Sequence, residues 1–519
     1  MIHPYSHYPA RGAKSFPDRI ALIDGPRRLS YGELDLRATK LAQALLAEGL
    51  EVGERVAFVQ ENAIEYVEVV VAIARAGGVL VPLLGALTAK EHAFMVEDAE
   101  ARFVIALSPE AIPRAHAAAA GHAKVLALGP GERARDLAAL AAEQSGETPR
   151  IERPPSALAQ ILYTSGTTGD PKGVTHSYAS VSAAMGAWAT VFGVGPGDRI
   201  LGQLALSHFG GRGMDACWIA GATLVILPVA DPKTMLRAIE EHAITMILVI
   251  PTLLRMLLDH PDADTTDLSS LRIVMYAAAP SAPALVRASL DRLGPVLHTG
   301  FGQTEAYGLN TFMGPEEHVA ALEEGGGRLV SVGRECAAFV QVRICAEDGS
   351  PVALGEVGEI CVCAPWATPG FWKRPELDAA RLRDGWLCTG DLGRMDSEGY
   401  VFLADRKEDK IISGGFNVYP AEVEGILAEH PAVAECAVFA VPDSKWGEAV
   451  RAAVTLREGN SVDAEELIAF CKEQLARFKV PKAIDVLDEL PKSPVGKILR
   501  RALREPFWQD QTTGVHGAE

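Results

Sequence analysis

The chain has 519 residues, too many for one ordinary core and enough for about two to four domains or subdomains. Hydrophobic residues make up 48% and charged residues 22%, with 49 glycines and 32 prolines, which excludes collagen, a coiled coil and a mostly disordered chain. Lys and Arg total 49 against 67 Asp and Glu, so the formal charge of −18 provides no global field for nucleic acid or anionic lipid, although a local basic pocket can still hold a phosphorylated ligand.

The amino-terminal stretch MIHPYSHYPARGAK lacks the apolar core of a secretion signal. Ser30-Tyr31-Gly32-Glu33 has capping-box spacing, and Leu34, Leu41, Leu45 and Leu46 then form a helical stripe that stops near Gly49. Strands are expected at Arg55–Val59, Val79–Pro82, Phe103–Ala106 and Lys124–Leu128, with helices at Ala63–Ala76 and Thr88–Glu97 between them. That alternation predicts an α/β sheet with helices on its faces. A polar, proline-bearing stretch around Glu143–Pro155 leads into a new strand, Leu158–Tyr163. The alternation resumes through Arg199–Leu204, Thr223–Leu227, Met246–Val249 and Arg272–Met275. The longest uncharged apolar run, Ala216–Ala230, is too short to span a membrane and contains Gly221 and Pro228, so it reads as buried helix, turn and strand.

From about Val332 short β-type runs take over: Val340–Cys345, Glu359–Cys363 and Tyr400–Ala404, with a turn at Glu347-Asp348-Gly349. The charged Asp405–Asp409 has the character of an interdomain hinge. A small α/β domain is expected after it, with helix Ala421–Glu429, strands Glu435–Val441 and Ala449–Leu456, and helix Asp463–Leu475. The tail Glu505–Glu519 has few core formers and reads as loose. Of the eight scattered cysteines only Cys361 and Cys363 come close together, and no Cys/His group has zinc spacing. Reduced thiols, a cytoplasmic location and no stable membrane insertion are the expectation.

Tyr163–Val174 reads YTSGTTGDPKGV: three glycines, four Ser/Thr hydroxyls and one lysine in twelve positions after an apolar strand. Glycines let the backbone approach a phosphate, hydroxyls and N–H groups donate to its oxygens, and Lys172 supplies charge. A Walker-type loop fits poorly, because Pro171 occupies the second glycine's place and Gly173 the place of the metal-binding hydroxyl. The loop instead resembles the signature of the adenylate-forming superfamily, which includes the AMP-forming acyl-CoA synthetases. Further segments resemble that family's motifs in order: Tyr276-Ala277-Ala278-Ala279-Pro280, Phe301-Gly302-Gln303-Thr304-Glu305, Thr389-Gly390-Asp391, Asp405-Arg406, Ser413–Pro420 and Pro494-Val495-Gly496-Lys497. The resemblance runs from Ser30 to about Arg504.

The resemblance implies an α/β fold: a large AMP-binding domain over 1–405, made of two α/β subdomains and a β-rich subdomain at about 332–405. A hinge at 406–408 and a mobile carboxy-terminal α/β domain over 409–519 would follow. It implies ATP, CoA and a carboxylic acid as substrates, Mg2+ as cofactor and no nucleic-acid partner; a homodimer is left open. Thr164, Ser165, Gly166, Thr167, Thr168, Gly169 and Lys172 would hold phosphates. Ala277, Ala278, Ala279, Pro280, Phe301, Gly302, Gln303 and Thr304 would line the nucleotide, with Asp391 and Arg406 at its ribose. Glu305 and Thr167 would reach the metal, which keeps most of its waters. Lys497 would screen the repulsion between the attacking carboxylate and the α-phosphate.

Thioester formation would follow rotation about Glu408, which withdraws Lys497 and presents a thiol tunnel at Gly414 and Gly415. Trp446 and Phe478 correspond to CoA-contacting positions. His208 corresponds to a gate beside the acyl pocket, with Phe209, Gly210, Tyr276, Gly300 and Tyr307 around it. Gly210, Gly211 and Gly213 either open room for a substrate chain or allow close packing, and Arg212 is read as solvent-facing, with a second substrate carboxylate as the alternative. The expected reaction is ligation of a moderately apolar acid, fatty or aromatic, to CoA. Loading of a carrier protein in trans, or a silent nucleotide-binding relative, are the alternatives.

Overall fold

The computed structural model describes residues 4–59, 61–164, 171–279, 281–406, 409–413, 416–443, 446–493 and 498–508. The chain divides into two compact units: Met1–Ala278, Arg287–Val342 and Cys361–Thr389 form the first, and Ala279–Val286, Arg343–Ile360 and Gly390–Glu519 the second.

Ser30 starts the first long helix, Tyr31–Ala47, as its spacing predicts: its hydroxyl accepts from the Glu33 amide, and the Glu33 carboxylate accepts from the Ser30 amide. Leu34, Leu41 and Leu45 are buried and Leu46 half-buried, and Gly49 at φ +90° ends the helix run. The next helix, Ile64–Arg75, is buried on nearly every face, which is why its sequence is apolar almost throughout. Arg75 survives there because Asp35 pairs with it at 2.8 Å and Thr39 and the Asp35 carbonyl also accept from it.

The strands run in chain order. A hairpin opens the chain with β1 (Ile20–Asp24) and β2 (Arg27–Ser30). Then come β3 (Arg55–Val59), β4 (Val79–Leu83), β5 (Ala101–Ala106), β6 (Lys124–Ala127), β7 (Arg135–Asp136), β8 (Leu158–Thr164) and β9 (Lys172–Ser177). They form one seven-stranded sheet in the order β7-β6-β5-β3-β4-β8-β9, parallel except for the β8–β9 hairpin. Strands β10 (Arg199–Gly202), β11 (Thr223–Ile226), β12 (Met246–Val249), β13 (Ile273–Tyr276) and β14 (Leu297–Thr299) follow. They join the opening hairpin in a second sheet, β14-β13-β12-β10-β11-β1-β2, parallel except for β1–β2. Parallel strands with helices in the crossovers bury both faces, and Val, Ile, Leu and Ala fill them accordingly.

A short ribbon pairs β15 (Thr311–Phe312) with β16 (Arg334–Glu335). The β-rich stretch expected after Val332 contains β17 (Gln341–Cys345), β18 (Gly358–Cys363), β19 (Leu382–Arg383), β20 (Trp386–Met395) and β21 (Val401–Arg406). The expected turn is there, with Gly349 at φ +85°. Within the first unit the buried Cys361 and Cys388 thiols lie 3.7 Å apart, a proximity across 27 residues that cysteine spacing could not reveal.

The carboxy-terminal part of the second unit is a small α/β domain. Its strands are β22 (Ile411–Ser413), β23 (Phe416–Val418), β24 (Val433–Asp443), β25 (Gly447–Leu456) and β26 (Ala483–Val486), in the order β23-β22-β25-β24 with β26 parallel to β25. Helices Pro420–Glu429 and Ala464–Gln474 pack Val423, Leu427, Leu467 and Cys471 onto its apolar face. The tail corrects one expectation. Residues 500–508 form a helix, so the loose reading fails for Glu505–Trp508, and the remainder lies outside the described residues. Trp508 donates to the Ala440 carbonyl at 3.1 Å, Phe507 meets Phe439, and Arg500 pairs with Glu424 and Asp409, contacts that together dock a polar segment. No helix among the described residues is long and apolar enough to cross a membrane.

Candidate active site

In parallel α/β sheets, ligands gather beyond the carboxyl ends of the strands, where the strand order reverses. In the second sheet β11 lies on one side of β10 and β12, β13 and β14 on the other, so the reversal falls at β10. The loop after β10 carries His208. The segment after β13 carries Ala277 and Ala278, and the one after β14 carries Gly300 to Glu305. Three separate motifs thus share one sheet edge, which the sequence order alone does not require.

The phosphate-loop candidate is closed by the β8–β9 hairpin, in which Thr164 stands opposite Lys172. Ser165, Gly166, Thr167, Thr168 and Gly169 lie outside the described residues. From β9, His176 reaches across to the other motif: its Nε2 lies 2.9 Å from the Thr304 carbonyl. Burial holds the imidazole neutral, with its pKa down at about 3, so Nε2 carries the proton and donates. The Glu305 carbonyl accepts from the Thr368 amide at 2.7 Å. Thr304 and Glu305 therefore sit in a 3-10 turn, Thr304–Ala306, pinned through its backbone on two sides.

Close backbone approach explains the glycines of this segment. A Cβ on Gly300 would stand 2.3 Å from the Thr311 carbonyl oxygen, and one on Gly302 would stand 2.6 Å from that of Gly308. Phe301 is buried, with its amide on the Thr311 hydroxyl at 3.0 Å. The Glu305 carboxylate is half-buried and makes no hydrogen bond or ion pair among the described residues, and the buried Gln303 Nε2 also lacks a partner there. An unpaired carboxylate and an orphaned amide donor fit a divalent cation and a polar ligand. No cluster of three metal-ligating residues occurs among the described residues.

Beyond β13, Ala277 is buried, its amide on the Val249 carbonyl, and Ala278 is exposed at φ +71°, a conformation rare for alanine. Ala279 is exposed and Pro280 lies outside the described residues. The Tyr276 side chain is buried, and its hydroxyl meets His318 Nε2 at 2.9 Å.

His208 is half-buried, with Nδ1 2.7 Å from the Ser207 hydroxyl, and Phe209 meets Trp188 edge-on. Helix Gly211–Ala220 follows directly. A Cβ on Gly210 would stand 2.4 Å from the Leu204 carbonyl oxygen, and one on Gly211 would stand 2.2 Å from that of Leu206. These two glycines serve close packing of the helix start against its own approach loop. The solvent-facing reading of Arg212 is overturned: it is buried, paired with Asp215 at 3.0 Å, and its guanidinium lies 3.7 Å from the Tyr307 ring centre. Asp215 and Tyr307 supply the charge and the π-face that let an arginine enter a core.

In the second unit Asp391 and Arg406 face each other in the β20–β21 ladder. Gly390 turns at φ +75° and its amide donates to Glu359 at 2.9 Å, which sets the approach to Asp391. Phe478 stacks on Phe416 at 4.7 Å between ring centres, and Trp446 is 42% exposed. Glu408, Gly414, Gly415 and Lys497 lie outside the described residues.

The family model for AMP-binding enzymes matches residues 10–372, and the model for their C-terminal domain matches 422–497. The chain is 36% identical to a medium/long-chain-fatty-acid–CoA ligase of Mycobacterium tuberculosis over 96% of its own length and 89% of the relative's. It is 35% identical to a feruloyl-CoA synthase of an Amycolatopsis species, over 96% and 98%. Among solved structures, the amide bond synthetase McbA from Marinactinospora thermotolerans superposes with a TM-score of 0.88 at 32% identity, covering 97% of this chain and 100% of that one. With both models matched in order and relatives alike over nearly their whole length, the chain belongs to the AMP-binding enzyme family, the adenylate-forming enzymes that include AMP-forming acid–CoA ligases.

Proposed function

We propose that the protein is an AMP-forming ligase that joins a moderately apolar carboxylic acid, fatty or aromatic, to CoA. The observation that carries this is the sharing of one sheet edge by the His208 loop and the Thr304-Glu305 turn, with His176 tying that turn to the β8–β9 hairpin. Similarity to both a fatty-acid and a feruloyl ligase at nearly equal identity supports the substrate class and leaves its two branches equal.

In the first half-reaction a carboxylate oxygen attacks the α-phosphorus of ATP, an acyl–O–P bond forms, and the bond to the pyrophosphate oxygen breaks. Both partners are anions, so the protein's work is positioning and charge neutralisation. Lys497 is assigned to the meeting point of the carboxylate and α-phosphate, Lys172 and the loop hydroxyls to the phosphates, and Asp391 with Arg406 to the ribose. Glu305 and Thr167 would hold magnesium, which when bound offsets phosphate charge. In the second half-reaction the CoA sulfur attacks the acyl carbon, the acyl–O–P bond's carbon–oxygen link breaks, and AMP leaves. Residues 406–408 are assigned as the hinge between the two steps, with Gly414 and Gly415 at the thiol passage and Trp446 and Phe478 beside CoA.

The test is a panel of carboxylic acids with ATP and magnesium, with and without CoA, read by pyrophosphate release and product mass. Acid-dependent pyrophosphate release with a CoA thioester of one acid class supports the reading. Release without thioester would favour loading of a carrier protein, and no release with any acid would leave a silent relative.

A further inference from the structure

We infer that Arg212 and Asp215 are positioning residues: a buried charge pair on the helix after His208 that clamps Tyr307 and thereby holds the Thr304-Glu305 turn. The inference rests on the reading above in one respect, that this turn serves the nucleotide and its metal. Nothing in the motif pattern assigns either residue.

Burying two charges is costly, and a hydrophobic pair of similar volume would usually serve stability as well or better. Arg212 and Asp215 are nonetheless 9% and 2% exposed and 3.0 Å apart. Their surroundings explain the arrangement. The guanidinium lies over the Tyr307 ring at 3.7 Å, and Tyr66 and Gln160 border the same small cavity, of ≈ 20 Å³, room for about one water. The partners that the guanidinium meets are thus side chains of the protein, Asp215 and Tyr307.

Tyr307 itself has φ +44° and ψ −33°, a conformation that a bulky residue keeps only when its surroundings over-determine it. Arg212 contacts its ring. His176 also contacts it, with 4.6 Å between ring centres, and the same imidazole donates to the Thr304 carbonyl. A continuous chain therefore runs from Arg212 through Tyr307 and His176 to Thr304, and Tyr307 is two residues from Glu305. The helix that follows the gate histidine and the turn that carries Glu305 are braced against each other by one aromatic ring.

The test uses the full chain and three variants: Arg212→Met, Arg212→Met/Asp215→Leu and Arg212→Lys. The single Met variant strands Asp215 and should melt lower. The double variant removes both charges and should melt within about 3 °C of the parent, because well-packed apolar replacements of buried pairs are tolerated. Hydrogen exchange at residues 302–308 is the deciding readout, expected to be about tenfold faster in the double variant and closer to the parent in Arg212→Lys. Unchanged exchange there would overturn the proposal. Acid-dependent pyrophosphate release should fall on the order of 10²-fold in kcat, with KM for the acid nearly unmoved. Faster exchange with undiminished release would support the clamp and instead refute the role given to Thr304 and Glu305.

Discussion

Between pH 7 and pH 5 the first unit is expected to lose about 2 kcal/mol of stability through His176 alone. The imidazole is fully buried, and desolvation brings its pKa to about 3 in the fold. In the unfolded chain it returns to about 6.5, so below that pH the unfolded state binds a proton that the native state refuses. The contribution is fully favourable above pH 6.5 and is lost as pH falls towards 3. The cost is about 0.8 kcal/mol at pH 6 and about 2 kcal/mol at pH 5. His298, also buried and brought to about 4, adds a loss of the same sign. A difference measurement isolates His176. His176→Gln keeps an amide donor for the Thr304 carbonyl but does not titrate. Urea unfolding of both proteins at pH 5, 6, 7 and 8, followed by tryptophan fluorescence, should show the variant's relative stability improving by about 2 kcal/mol from pH 7 to pH 5. A constant difference across that range would refute the argument, because it would mean that the imidazole reaches water or a carboxylate in the native state.

Four further outcomes are expected. Gly211→Ala should destabilise by about 1–3 kcal/mol, since its Cβ meets a backbone oxygen at 2.2 Å that no rotamer change can move, whereas Gly186→Ala, with nothing within 4 Å, should be neutral or mildly stabilising in parallel thermal scans. Arg500→Met should loosen the carboxy-terminal domain by up to about 3 kcal/mol, because Arg500 bridges Glu424 at 2.6 Å and Asp409 at 3.0 Å, and proteolysis after mild heating would report it. Lys497→Ala should abolish pyrophosphate release from acid and ATP yet spare much of the thioester step from preformed adenylate; equal loss of both would contradict its role. Gly415→Leu should do the reverse, with adenylate accumulating while CoA consumption stalls, as read by product mass.

Most of the fold was legible because its determinants are local. Ser30 and Glu33 satisfy each other's amides whatever lies beyond them, and buried parallel strands such as β12 and β13 need continuous apolar runs that stand out in any reading. The failures are of a different kind. The tail helix contains Pro506, so propensity does not favour it; its order comes from contacts distant in sequence, with Trp508 and Phe507 reaching Ala440 and Phe439 some 68 residues away and Arg500 pairing with Glu424 and Asp409. The proximity of Cys361 to Cys388 has the same origin, strand neighbours separated by a long excursion of the chain.

The candidate site divides along the same line. The glycines around Thr304 and Glu305 leave a trace in the sequence because a tight turn demands them at fixed offsets, where a Cβ would meet backbone oxygens. Arg212 leaves none, since an arginine among glycines at a helix start has the signature of a solvent-facing side chain. What reverses that reading is Asp215, one helical turn on, together with two residues from elsewhere: Tyr307 from the segment after β14, and His176 from β9. A charge enters a core only when its partners are supplied by tertiary structure, so a buried ion pair is the feature least visible in sequence and the most informative once the fold is known. Here it sits between the helix that follows His208 and the turn that bears Glu305, two elements whose relative placement the proposed chemistry depends on. The cost of burying the pair is thus more readily understood as the cost of holding that placement than as a contribution to stability.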